Sequence, residues 1–140
     1  MYLICEHGFE SLLNALEYAL RQSADPDGIV TADEAVQMLP FDVLRFGTDV
    51  AAADTFTARI QRFSREAYAM LCVASLSGDE DIPMTMLRFL RGVRTHGGAW
   101  ITNYADPAMR NMQMAVKRVL HERHRFQGML RFAELSDGTF

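Results

Sequence analysis

The segment MYLICEHGFESLLNALEYALRQ, residues 1–22, decides the fold class because two different hydrophobic periods follow each other in it. Its first five residues form a short, partly β-branched apolar run, which indicates a buried strand. From Phe9 onward, leucines and alanines recur at helical spacing, which predicts a helix with one apolar side. A strand followed at once by a helix predicts a fold of mixed α and β content.

The remaining segments extend this mixture along the chain. Residues 43–48 alternate as a second strand, and helices are predicted over residues 49–63, from a cap at Ser64, over residues 82–96, and from Asp106 onward. Thr31 and Glu34 have the spacing of a capping box for a short helix that Pro40 ends. Gly128 is a plausible helix stop, after which residues 129–135 alternate as a strand and SDG forms a hairpin turn. We therefore expect an α+β fold, with several packed helices and a small sheet built from residues 1–5, 43–48 and the C-terminal hairpin.

The length of 140 residues suits one domain, and no internal repeat or low-complexity tract divides it. A final strand that stops two residues after its turn predicts a fragment of a longer protein. We therefore expect residues 1–140 to be a single domain that is truncated at its C-terminus.

The net charge of −4 conceals an uneven distribution of charge along the chain. Residues 1–81 hold 5 Arg against 14 Asp and Glu, whereas residues 82–140 hold 8 Arg and 1 Lys against 4 acids. A basic half can neutralise phosphates, so this asymmetry indicates a nucleic-acid partner, although the basic half could instead dock on the acidic one. Arginine in particular makes bidentate contacts with phosphate.

The helix predicted after Asp106 has the clearest division into two sides. At about 100° per residue, its apolar side holds Met109, Met112, Val116, Val119 and Leu120. The opposite side collects the cations and histidines of this segment, namely Arg110, Lys117, Arg118, His121, His124 and Arg125. This pattern predicts a helix that packs on the core with one side and presents an anion-binding surface with the other.

Four further arginines belong to the candidate binding surface. Arg88 and Arg91 lie with Arg94 on one side of the helix over residues 82–96. Arg123 falls within the apolar sector of the last helix, so it either pairs with an acid of the N-terminal half, extends its guanidinium out to solvent, or binds a phosphate or a docked protein. Arg131, in the predicted strand, should leave the face opposite Leu130 and Phe132, and Glu134 leaves the same face as a possible ion-pair partner.

The sequence matches none of the common motifs for catalytic, cofactor-binding or metal sites. The sequence has no phosphate-binding loop, dinucleotide fingerprint or nucleophile elbow, and its two cysteines are too few for an iron–sulfur or zinc site. His121, Glu122 and His124 resemble a zinc-binding H-E-x-x-H motif, but the second histidine comes one residue early, so we predict no metal and no cofactor. The candidate catalytic residues, for an acid–base role, are His124 with Glu122 or Glu134. Because the chain lacks a signal-like or membrane-spanning run, we expect a cytoplasmic protein without membrane contact.

The two ends of the chain together resemble a bacterial family described as probable DNA metabolism or DNA repair proteins. The resemblance runs from MYLICEHGFESLLNAL to NYADPAMRNMQMAVKRVLHERHRFQGMLRFAELSDGTF and centres on the pattern V-x-x-E-x-H-R-F-x-G-x-L-R-F-x-E-L-x-D-G. The matching positions are Val119, Glu122, His124, Arg125, Phe126, Gly128, Leu130, Arg131, Phe132, Glu134, Leu135, Asp137 and Gly138. The resemblance implies a radical-SAM partner protein and, in some members, fusion to a uracil-DNA-glycosylase-like domain. Members also continue beyond the last residues of this chain, with further histidine and arginine motifs.

Residue chemistry and resemblance together lead to one main expectation and two alternatives. We expect a DNA-associated accessory protein of repair or modification, whose basic Arg and His face contacts phosphates or a partner repair enzyme. One alternative is an enzyme that acts on damaged or modified DNA in a glycosylase-like or hydrolytic reaction, for which His124 and a glutamate would have to converge. The other is a pure protein-interaction domain.

Overall fold

The described residues form three short strands in the first third of the sequence, a helix between the first two of them, and further helices after the third. The computed structural model describes residues 1–32, 43–78 and 81–136, and for residues 123–136 it describes the backbone. The strands are β1 (Tyr2–Cys5), β2 (Gly28–Thr31) and β3 (Val43–Phe46). The helices are α1 (Phe9–Arg21), α2 (Val50–Phe63), α3 (Arg65–Ala74), α4 (Ile82–His96) and α5 (Pro107–Ser136), with a 3₁₀ turn at Gly98–Thr102 between the last two. The predicted α+β class is confirmed.

The sheet is parallel, with strand β1 in its centre. Tyr2 lies opposite Gly28 on one side and opposite Val43 on the other, which gives the order β2-β1-β3. Parallel neighbours need a long crossover connection, and α1 provides it between β1 and β2. Leu3 and Ile29 are buried, as expected for strands in a parallel sheet with the helices packed on it.

The composition of the sheet corrects one sequence prediction. The strands at residues 1–5 and 43–48 are confirmed, but the third strand is β2 and not residues 129–135, which belong to helix α5. Gly128 does not end that helix. A glycine inside a helix costs about 1 kcal/mol, and strong helix formers on its C-terminal side, among them Met129, Leu130 and Ala133, outweigh that cost. The short helix predicted between Thr31 and Pro40 lies largely outside the described residues.

Two side-chain caps start helices in the middle of the chain, and the one at Ser64 confirms the predicted cap. The Asp49 carboxylate accepts a hydrogen bond of 3.0 Å from the Ala52 amide at the start of α2. The Ser64 hydroxyl accepts one of 3.1 Å from the Ala67 amide at the start of α3. Because each cap satisfies an amide that the helix itself cannot pair, these residues fix where both helices begin.

Helix α4 lies at the centre of the core and contacts α1, α3, α5 and β2. Its Phe89, Met86 and Leu87 are fully buried, and Met112 of α5 is buried in the same cluster. Gly92 lets α5 come close, because a Cβ atom at this position would lie 2.6 Å from Cε of Met109. The close contact between α4 and α5 determines where the outward side of α5 lies.

Candidate nucleic-acid interface on helix α5

Helix α5 starts from a hydrogen-bonded anchor that Asp106 provides. One carboxylate oxygen accepts a hydrogen bond of 2.9 Å from the Ala108 amide, as predicted for a cap before a proline at the first helical position. The other oxygen accepts one of 2.8 Å from the indole Nε1 of Trp100, and the Trp100 ring stacks on His96 at 4.0 Å between centroids. The hydrogen bond from Trp100 is the largest of the effects that lower the pKa of the Asp106 carboxyl. Asp106 therefore joins α5 to the end of α4.

We predict that Asp106→Ala lowers the free energy of unfolding by about 1–3 kcal/mol, because it removes the cap and the partner of the indole. Asp106→Asn keeps a capping side chain and should cost less. Since the pKa of Asp106 is lowered in the folded protein, its contribution is complete above about pH 4 and is lost as the pH falls through the folded-state pKa. Denaturant unfolding followed by the fluorescence of Trp100, the one tryptophan in the sequence, measures these differences from pH 7 to pH 2. A loss below about 0.5 kcal/mol for Asp106→Ala at pH 7 would contradict the assignment.

The core-facing side of α5 matches the predicted one over its first turns. Met109 and Met112 are fully buried, and Val116 packs partly buried against the core. Leu120, which the pattern also assigns to the core, is 41 % exposed. The helix therefore packs most tightly near its start and less tightly toward residue 120.

The opposite side of α5 carries the predicted cations. The exposed residues there include Arg110, Lys117, Arg118 and His121, and we refer to these four residues as the α5 basic face. The sequence from residue 107 to residue 121 contains no Asp or Glu, so no acidic side chain of this segment neutralises the face. Arg110 also donates a hydrogen bond of 3.3 Å to the Tyr104 carbonyl, whereas Arg118 lines a recess with Asp81 at the border with α4. The face places two arginines, one lysine and one histidine along about three helical turns.

The candidate residues beyond Glu122 belong to the same helix, α5. The side chains of Arg123, His124, Arg125 and Arg131 lie outside the described residues, but their backbone belongs to α5. Because the helix is continuous, Arg110, Lys117, His124 and Arg131 follow each other at intervals of seven residues, which keeps them on one side with a drift of about 20° per interval. The predicted strand at Arg131 is wrong, because the backbone of this residue belongs to α5.

The arginines of α4 have different surroundings. Arg88 is exposed. Arg91 donates a hydrogen bond of 2.7 Å to the Asp25 carboxylate and another to the Ala24 carbonyl, and Arg94 donates one of 3.0 Å to the Leu20 carbonyl. Arg91 and Arg94 therefore bind the C-terminal end of α1 and the loop that follows it. These contacts join segments far apart in the sequence, and no local pattern indicates them.

The candidate catalytic residues are spread along α5. Glu122 is exposed, and the side chains of His124 and Glu134 lie outside the described residues. At about 100° and 1.5 Å per residue, Glu122 and His124 fall on different sides of the helix, and Glu134 lies about 15 Å beyond His124 along the axis. The helix by itself does not bring an acid–base pair together.

The described residues contain neither a metal-binding cluster nor a membrane-spanning helix. Among residues 1–32, 43–78 and 81–136, no three His, Cys, Asp or Glu side chains are arranged to hold a metal ion. Within the same part of the chain, none of the helices combines the length and the hydrophobicity that crossing a bilayer requires.

Comparison with known proteins finds a similarity to a family model. No curated protein and no solved structure matches the chain. The model of a family described as a domain of unknown function, DUF4130, matches residues 80–140. The matched region contains α4, the 3₁₀ turn and α5, which are the elements that build and anchor the basic face. Over residues 80–140 the chain is thus similar to a domain family of unknown function, DUF4130.

Proposed function

We propose that the α5 basic face binds the phosphate backbone of DNA and that the protein serves as an accessory factor in DNA repair or modification. The observation that carries this proposal is the row of exposed cations on α5 with no acid between residues 107 and 121. In a chain with a net charge of −4, such a row concentrates positive potential on one surface.

The chemistry of the face suits phosphate better than bases. Arg110 and Lys117 provide N–H donors on long side chains that can reach separate phosphates, and the imidazole of His121 adds a further N–H donor. Contacts with phosphate position a protein on DNA without reading its sequence. The expected binding is therefore tolerant of sequence and sensitive to salt.

Fluorescence anisotropy with labelled 20-nucleotide single-stranded DNA and the matching duplex tests this proposal. Each phosphate contact contributes a slope of about −0.9 in log K against log salt for duplex DNA. Three or four contacts through the basic face should therefore give a slope of about −3 to −4 between 25 and 200 mM salt. A folded protein that binds neither DNA at 25 mM salt would refute the proposal.

A partner protein is a second candidate, because apolar side chains are exposed on the same helix. Met114 is 54 % exposed beside the cations, and Leu120 is 41 % exposed at the end of the packed region. Protein interfaces favour methionine and arginine at their centres. The radical-SAM protein and the uracil-DNA-glycosylase-like domain are the partners that the family resemblance implies. Co-purification with the radical-SAM protein, with and without excess duplex DNA, separates the candidates, because DNA displaces a partner that occupies the same face.

A further inference from the structure

A recess of about 260 Å³ lies where α1, α2, α3 and α4 meet, away from the α5 basic face. Its lining combines a buried apolar floor with charged side chains. The floor consists of Leu20, Phe56, Ile60, Ala67, Leu90 and Val93, each less than a tenth exposed. A cavity of roughly 150 Å³ with such a lining binds benzene in another protein, so this recess has room for a body of about two fused rings.

The recess is also lined by four charged residues, Arg21, Arg59, Arg94 and Glu17. The side chains of Arg21 and Arg59 are 64 % and 52 % exposed, whereas that of Glu17 is 16 % exposed. Phe63 also lines the recess and is 52 % exposed. The recess thus has an apolar interior with arginines that reach solvent.

The internal contacts of these arginines leave an excess of positive charge. Glu17 forms an ion pair with Arg59 and a longer one of 3.6 Å with Arg21. Arg94 donates to the Leu20 carbonyl at 3.0 Å. The lining of the recess therefore contains one carboxylate and three guanidinium groups, each of which has five N–H donors. An apolar recess with a positive excess at its edge selects for a ligand with an apolar body and an anionic end.

We propose that this recess binds a small organic carboxylate whose aromatic or branched aliphatic body enters the apolar floor while its carboxylate meets Arg59 and Arg21. Residues from α1, α2 and α3 lie outside the segment that matches DUF4130, whereas Leu90, Val93 and Arg94 lie within it. The site therefore joins the two parts of the chain. It shares no residue with the α5 basic face, so it is a separate function from DNA binding.

Isothermal titration with 2-naphthoate, compared with the uncharged 2-naphthamide, tests the site in the full chain. The size of the probe suggests a dissociation constant of roughly 0.1–1 mM for naphthoate. The amide should bind about tenfold more weakly, because it cannot form the charge-assisted hydrogen bonds. Equal binding of the two probes, or no binding of naphthoate at millimolar concentration, would overturn the proposal.

Matched variants locate the bound probe. Arg59→Gln should weaken naphthoate binding about tenfold, and Phe63→Ala should weaken binding of both probes by removing part of the apolar wall. Arg62→Gln is the control, because Arg62 is exposed on the same helix and does not line the recess. Circular dichroism establishes that each variant is folded, and amide chemical shifts should change at Ile60 and Val93 on addition of naphthoate. If Arg62→Gln reduces binding as much as Arg59→Gln, or if the shift changes lie elsewhere, the probe does not occupy this recess.

Discussion

Replacing Arg110 and Lys117 together by glutamate is expected to lower the affinity for a 20-base-pair duplex about 100-fold at 50 mM salt. Both side chains are exposed on α5, so the exchange should leave the core intact. The variant loses two phosphate contacts and gains two negative charges that repel the backbone. The slope of log K against log salt should become shallower by about 2, and anisotropy titrations at several salt concentrations measure both effects.

The control variant must change the net charge by the same amount as the test variant, but at residues outside α5. Arg45 on β3 and Arg62 on α2 are exposed, and neither belongs to α5. The Arg45→Glu, Arg62→Glu variant therefore has the same net charge as the test variant. An equal loss of affinity in the two variants would show that the total charge, and not the α5 basic face, governs binding.

The second large effect is expected for Phe89→Ala, which should lower the free energy of unfolding by about 3–5 kcal/mol. Phe89 is fully buried in α4, the helix that contacts α1, α3 and α5. Removing its ring leaves a cavity that the surrounding helices can close only in part. Urea unfolding followed by circular dichroism gives the change.

Phe63→Ala makes the same chemical change at a surface position. Phe63 is 52 % exposed at the end of α2, so its loss should cost less than about 1 kcal/mol. If both variants lost similar stability, burial in the α4 core would not be the source of the effect. A separate outcome concerns DNA binding. If the Phe89→Ala variant loses DNA binding at a temperature where it remains folded, the packing around Phe89 is needed to hold α5 in its binding position.

The start of α5 and its two sides could be predicted because their signals are local. Asp106 and Pro107 adjoin in the sequence, and periodicity alone assigns Met109 and Met112 to the core and Lys117 to the surface. The end of the helix could not be predicted in the same way. Gly128 and the alternating residues after it favour a helix end followed by a strand. The helix propensity of the whole segment favours a continuous helix. A pattern read over a few residues does not show which of these two preferences is stronger.

The surroundings of the arginines show a second limit of the sequence. Arg88 and Arg91 lie one turn apart on the same side of α4, and the sequence pattern treats them alike. In the structure, however, Arg88 is exposed, whereas Arg91 binds Asp25 and Ala24. The difference arises because α4 packs against the end of α1, which is a tertiary contact. For the same reason, the sequence does not predict β2: its four residues follow strong turn signals, and only pairing with β1 identifies them as a strand.

The central position of β1 has a consequence for the order of folding during synthesis. Residues 2–5 are synthesised before either partner strand, since the first partner is complete only when Thr31 has been added, and the second only when Phe46 has been added. Before Thr31 is added, the apolar strand that will occupy the centre of the sheet has both edges unpaired, and one edge stays unpaired until Phe46 is added. Closing these long loops costs entropy before the strand pairs stabilise the chain, so the sheet forms late relative to the local turns of α1.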